Sequence, residues 1–140
     1  MPAETYSIKS KYKNVNVAAD NIKRFCLDND IEDTLCNDLL ICVIEALNNV
    51  ITHSYKKDED KIIDINIVIE NLEFIVNITD EGIARTNFEI PTLDFDPNDI
   101  QNLPEGGMGL YIIENLMDST SYKSDNGKNI FTMRKNLNHK

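Results

Sequence analysis

Two alternating stretches constrain this chain most. Ile63, Ile65, Ile67 and Ile69 alternate with Asp64, Asn66 and Val68, and Phe74-Ile75-Val76-Asn77-Ile78-Thr79 follows after a short turn at Asn71. Side chains two apart on a strand share a face, so the isoleucines must cover a core while the polar set faces elsewhere. The β-branched residues favour that geometry, and two strands joined by so few residues pair as an antiparallel hairpin. A second hairpin is expected from Ser119–Ser124 and Asn129–Arg134, which flank Asp125-Asn126-Gly127. Asn-Gly supplies the positive φ angles that a tight hairpin turn demands.

The remaining elements follow from helical spacing. Val15, Ala18, Ala19, Ile22 and Cys26 predict a packing helix over Asn14–Leu27. Leu35, Leu39, Val43, Ala46, Leu47 and Val50 are the buried stripe of a second helix, from about Ile31 to about Tyr55. Asp30 is its expected N-cap, with Asp33 at N3 as an acidic capping box. Leu110, Ile113 and Met117 share one face of a third helix, from about Gly109 to Asp118, and Thr5–Tyr12 alternates loosely as an edge strand. Glu81–Glu105 has no periodicity and carries Pro91, Pro97 and Pro104. A loop that long is either functional, as a lid over a site, or a disordered insertion. The order strand, helix, helix, hairpin, lid, helix, hairpin predicts an α+β fold. It is a two-layer α/β sandwich, with the helices on one face of a mixed, mainly antiparallel sheet. At 140 residues the chain is expected to be a single domain, 1–140, with the lid at about 81–106.

A net charge of −10 argues against nucleic acid or an anionic membrane as partner, since phosphate surfaces need clustered Lys and Arg. An anionic ligand must be held locally, by backbone N–H groups or a metal. Cys26, Cys36 and Cys42 are scattered, with no C-x-x-C, and read as reduced thiols. No basic-then-apolar leader opens the sequence, and no apolar run approaches the ~20 residues of a membrane span. The expected location is the cytoplasm.

Three stretches carry chemistry. Gly106-Gly107-Met108-Gly109-Leu110 leads into the third helix, and a glycine turn at a helix N-terminus offers free N–H groups and the positive dipole end to a phosphate. Taken alone, a plain glycine-rich loop before a core helix explains it better, since short glycine patterns recur by chance. Glu45, Asn49 and His53 recur every fourth residue on the second helix, an alignment that a solvated polar face also produces. The Asn oxygen is a hard ligand suited to Mg²⁺, and a carboxylate one turn away can take a proton from a hydroxyl. Asp80-Glu81-Gly82 closes the second central strand. It is either a turn or an acceptor for a base amino group, with a glycine that lets a ring lie against the backbone.

Together, in this order, the three resemble one family. Glu45-x-x-x-Asn49-x-x-x-His53-x-Tyr55 resembles the N-box of the Bergerat-fold (GHKL) ATP-binding superfamily. Asp80-x-Gly82 is similar to its G1 box, Gly107-x-Gly109-Leu110 to its G2 box, and the intervening segment to its ATP lid. Ile44-Glu45-Ala46, Asp80-Glu81-Gly82, the Glu105–Leu110 run and Glu114-Asn115-Leu116-Met117-Asp118 are similar to the small bacterial anti-sigma-factor serine kinases. The resemblance spans about Tyr6 to Lys135.

It implies ATP and Mg²⁺ as cofactors, with Asn49 on the metal, Glu45 as the catalytic base and Asp80 reading the adenine amino group beside Gly82. Gly107, Met108 and Gly109, flanked by Gly106 and Leu110, would give N–H groups to the phosphates, and His53 and Tyr55 would support the edge. Ala84 replaces a frequent second glycine. Asn129 stands where a threonine often reaches toward the adenine-reading aspartate, and Arg85 is the only basic lid residue. The implied function is an anti-sigma factor and serine-protein kinase that binds a sigma factor and phosphorylates a serine of an anti-sigma-factor antagonist, as a homodimer. The alternatives are a nucleotide-binding partner-switching module with little or no transfer, and a detached histidine-kinase catalytic domain. The last lacks an upstream phosphoacceptor hairpin, the chain's histidines being His53 and His139.

Overall fold

A computed structural model of the chain describes residues 2–84 and 108–137, the first three of the second segment by backbone alone. The expected lid and its Arg85, together with Gly106 and Gly107, lie outside the described residues. The elements are β1 (Ala3–Lys9), α1 (Tyr12–Asp28), α2 (Asp33–Asn49) continuing as a π-helical turn (Val50–Ser54), β2 (Ile62–Glu70), β3 (Glu73–Asp80), α3 (Met108–Leu116), β4 (Ser119–Asp125) and β5 (Lys128–Asn136). The sheet order is β1-β2-β3-β5-β4. Every pairing in it is antiparallel, so the expected mixed sheet narrows to a wholly antiparallel one.

The alternation sorts the two faces as the sequence demands. Ile63, Ile65 and Ile67 of β2, Phe74, Val76 and Ile78 of β3, and Phe131 and Met133 of β5 share one core with Ile22 of α1, Leu39, Val43 and Leu47 of α2, and Ile113 and Met117 of α3. Each fully buried aliphatic side chain contributes roughly 1.5–3 kcal/mol. Phe25 of α1 meets Phe74 edge-on, ring centroids 5.8 Å apart, which fixes α1 against the centre of the sheet. On the opposite face a polar ladder crosses four strands. Asn66 Nδ2 donates to Thr5 Oγ1 (3.0 Å), Asn77 Nδ2 to Asn66 Oδ1 (3.0 Å) and Thr132 Oγ1 to Asn77 Oδ1 (2.6 Å). The stretch Asp33–Ser54 is long and apolar enough to cross a membrane, yet half of its apolar 18-residue window is buried inside the protein.

Both tight turns take the left-handed region. Asn126 and Gly127 have φ of 54° and 80°, and Asn71 and Leu72 have 53° and 63°. Two boundaries differ from expectation. The edge strand stops at Lys9, and Tyr12 opens α1 instead, because Lys11 N–H turns back to the Lys9 carbonyl at 2.8 Å. Asp30 does not cap α2. It has φ 56° and closes α1 in a Schellman motif, its N–H reaching Leu27 O (3.4 Å) and the Ile31 N–H reaching Cys26 O (3.0 Å). Glu32 takes the N-cap position of α2, with no capping hydrogen bond from its side chain.

Candidate functional site

The site is built where α2 ends and β3 ends. Helical bonding widens there: the Tyr55 N–H bonds to Val50 O, five residues back, at 2.9 Å. Such π turns often occur at functional sites. The widened turn presses its last carbonyl onto the loop after β3, where the Ile83 N–H donates to Ser54 O at 2.8 Å. Only a glycine fits opposite. A Cβ at Gly82 would lie 2.3 Å from Ser54 O and 2.9 Å from Tyr55 Cδ1. Tyr55 clamps the same corner, its hydroxyl donating to Ile62 O (2.5 Å) and accepting from the Glu81 N–H (2.8 Å). Burial holds that phenol above its ordinary pKa.

Asp80 sits inside this corner, 3% exposed. Its Oδ1 accepts from Asn129 Nδ2 at 2.8 Å and from the Gly82 N–H at 2.9 Å, and the Ser54 hydroxyl bonds to the same carboxylate. Burial pushes the Asp80 carboxyl above its ordinary value, while those three donors pull the other way. Asn129 also donates to Gly82 O at 3.0 Å, and its Oδ1 accepts from Ser124 Oγ at 2.7 Å. Both neighbours of Nδ2 are pure acceptors at these atoms, so the amide has one satisfying orientation. The carboxylate is thereby presented as an acceptor, suited to a ligand that brings an N–H.

Asn49 lies five residues before Ser54, about 7 Å along the helix. Its Nδ2 is buried without a hydrogen-bond partner among the described residues. A buried polar group left unpaired is costly, and here a phosphate oxygen would satisfy Nδ2 while Oδ1 remained free for a cation. Glu45, one turn earlier, is half-buried. His53 falls in the π turn that follows. No group of three or more His, Cys, Asp and Glu side chains among the described residues could hold a metal ion. An ion here would have to share Asn49 with its ligand's own oxygens, which is how Mg²⁺ is usually held.

Beyond Asp80 a cavity of about 320 Å³ is lined by Asp60, Asp64 and Glu81, with Lys61 as its one cation. Its charge disfavours phosphates. Met108 and Gly109 open α3, whose first-turn N–H groups have no intrahelical partner. The helix packs beside α2.

The structure thus brings Asp80, Gly82 and Asn129 into direct contact and joins them through Ser54 to the helix bearing Glu45 and Asn49. Ser54 and Ser124 were not legible as site residues. Ser54 sits next to Tyr55 in the N-box stretch, but a serine there carries no signal until the β3 corner packs on it. Ser124 lies next to the Asp-Asn-Gly turn and reads as a turn residue.

Residues 8–135 match the family of histidine kinase-like ATPase domains. The serine-protein kinase RsbW of Listeria monocytogenes is 34% identical over 109 residues, covering 74% of this chain and 67% of its own. RsbW of Bacillus subtilis is 33% identical over 105 residues, covering 72% of this chain and 64% of its own. The chain therefore spans about two thirds of the length of these relatives. Among solved structures, the RsbU and RsbW domains of a Mycobacterium tuberculosis protein superpose with a TM-score of 0.71 at 12% identity, over 98% of this chain and 33% of that one. That likeness shows the fold. The chain belongs to the histidine kinase-like ATPase domain family and, within it, to the relatives of the RsbW serine-protein kinases.

Proposed function

We propose that the chain is an ATP-dependent serine-protein kinase and anti-sigma factor of the cytoplasm. It binds a sigma factor and phosphorylates a serine of an anti-sigma-factor antagonist, and it works as a homodimer. The observation that carries this reading is the unpartnered Asn49 amide, on the helix whose end builds the Asp80–Gly82 corner. Asp80 accepts a hydrogen bond from the adenine amino group, and Gly82 lets the Ser54 carbonyl pack close enough to hold that carboxylate in place. Asn49 Oδ1 would hold Mg²⁺, which when bound would neutralise phosphate charge, and Nδ2 would donate to a phosphate oxygen. The backbone N–H groups of Gly107, Met108 and Gly109, with Gly106 and Leu110 beside them, cradle the phosphates at the start of α3. His53 supports the pocket edge. Glu45 takes the proton from the attacking serine hydroxyl. Catalysis here is chiefly alignment and charge neutralisation.

The test is transfer from γ-labelled ATP, with Mg²⁺, to the purified antagonist of the same organism. Wild type is expected to label a serine. Glu45→Ala should retain ATP binding and lose ~100-fold or more in rate, the usual scale for a general base. Absence of labelling by wild type, with ATP bound, would replace the kinase reading by that of a nucleotide-dependent partner-switching module.

A further inference from the structure

Two thiols stand apart from the nucleotide site. Cys26 belongs to the last turn of α1 and Cys36 to the first turn of α2, and the Schellman turn through Asp30 brings these helix ends together. Cys26 is 1% exposed and Cys36 7%. The Cys26 thiol hydrogen-bonds to Cys36, so the two sulfurs are direct neighbours. A surface cavity of about 260 Å³ is lined by both, along with Lys23, Asp33 and Asn37. It is large enough to admit a small peroxide. Cys36 is the more exposed of the two, so a peroxide in the cavity meets it first. Cys42 differs: it is fully buried in mid-helix, and burial, the largest cause, pushes its thiol up to about 12.

We propose that Cys26 and Cys36 form a peroxide-oxidisable dithiol, which closes into a disulfide tying the end of α1 to the start of α2. The oxidant is hydrogen peroxide. The Cys36 thiolate attacks one peroxide oxygen and the O–O bond breaks. The leaving hydroxide takes a proton to become water, and Cys36 becomes a sulfenic acid. Cys26 sulfur then attacks Cys36 sulfur. The S–S bond forms and the S–O bond breaks, and the departing hydroxide leaves as water with the Cys26 proton. Two thiols lose two electrons and two protons, and one peroxide yields two waters. Cys26, the more deeply buried of the two, is the thiol left to resolve the sulfenic acid. The cross-link would join α1 to the helix that bears Glu45 and Asn49, and added dithiol would reverse it.

The folded protein is treated with hydrogen peroxide, quenched, denatured and alkylated, and its peptides are mapped by mass spectrometry. Untreated protein is expected to alkylate at all three cysteines. Treated protein should lose the mass of two hydrogens, alkylate at Cys42 alone, and show a Cys26–Cys36 linked peptide that dithiothreitol releases. Full alkylation after treatment, a link through Cys42, or a link between two copies would overturn the proposal. Cys26→Ser should leave a sulfenic acid at Cys36 that dimedone traps. Trapping at Cys26 in Cys36→Ser, with none at Cys36 in Cys26→Ser, would overturn the assigned order. The wild-type map decides the disulfide even if either variant fails to fold.

Discussion

Replacing Asn129 by alanine removes the hub of the β3 corner. The residue is 1% exposed. The truncation deletes the bond to the Asp80 carboxylate (2.8 Å), the bond to Gly82 O (3.0 Å) and the bond from Ser124 (2.7 Å). A hydrogen bond to a charged group is worth about 1.5–3 kcal/mol and a neutral one about 0.5–1.5. Ser124 is exposed and recovers its bond from water, so its share drops out. Asp80 is buried and recovers little. The expected loss is therefore about 2–4 kcal/mol of folding free energy, read from urea unfolding at neutral pH. Asn129→Thr should cost less, because a hydroxyl can still donate to Asp80 while the Gly82 bond is lost. In an Asp80→Asn background the Asn129→Ala cost should shrink by about 1–1.5 kcal/mol, the difference between a charge-assisted and a neutral bond. An Asn129→Ala protein within ~0.5 kcal/mol of wild type, the scale of ordinary surface changes, would refute the network as a stabilising unit.

Asp80→Asn tests the electrostatics of the same corner. Because the folded-state pKa of Asp80 is raised, the folded protein holds this proton more tightly than the unfolded chain. Stability from this group is present below the unfolded value and is lost as pH rises through the folded one. The asparagine variant should lack that decline in urea titrations across the acid range while losing ATP affinity; a decline identical to wild type would show that Asp80 does not carry it. Gly82→Ala should cost about 1–3 kcal/mol, the usual scale of overpacking, because its Cβ would meet backbone at 2.3 Å. It should also weaken ATP binding, and a thermal melt unchanged from wild type would show that the corner yields freely.

Much of the architecture was legible because it follows from local rules. Period-2 isoleucines in β2 and the Asn126-Gly127 turn admit few alternatives, and the sheet obeys them. The α2 stripe from Leu35 to Val50 is likewise buried as read. Asp30 misled because the same residue type favours helix N-caps and left-handed C-termini. The choice fell to the carbonyls of Cys26 and Leu27, which needed donors. The π turn had no composition signature, since it arises from how Ser54 and Tyr55 pack on Gly82. The site shows the same division. Asp80, Gly82 and Asn129 were nominated by motif, whereas Ser54 and Ser124 acquire meaning only from contacts between residues distant in sequence.

The central claim is that Asn49 holds the metal-bound phosphates of a nucleotide whose base is read at Asp80. Isothermal titration of ATP, with and without Mg²⁺, tests it most directly in wild type and Asn49→Ala. Wild type should bind ATP more tightly with Mg²⁺, and the variant should lose at least about tenfold in affinity, or 1.4 kcal/mol, together with most of the Mg²⁺ dependence. A folded Asn49→Ala protein that binds Mg²⁺-ATP as tightly as wild type would contradict the account.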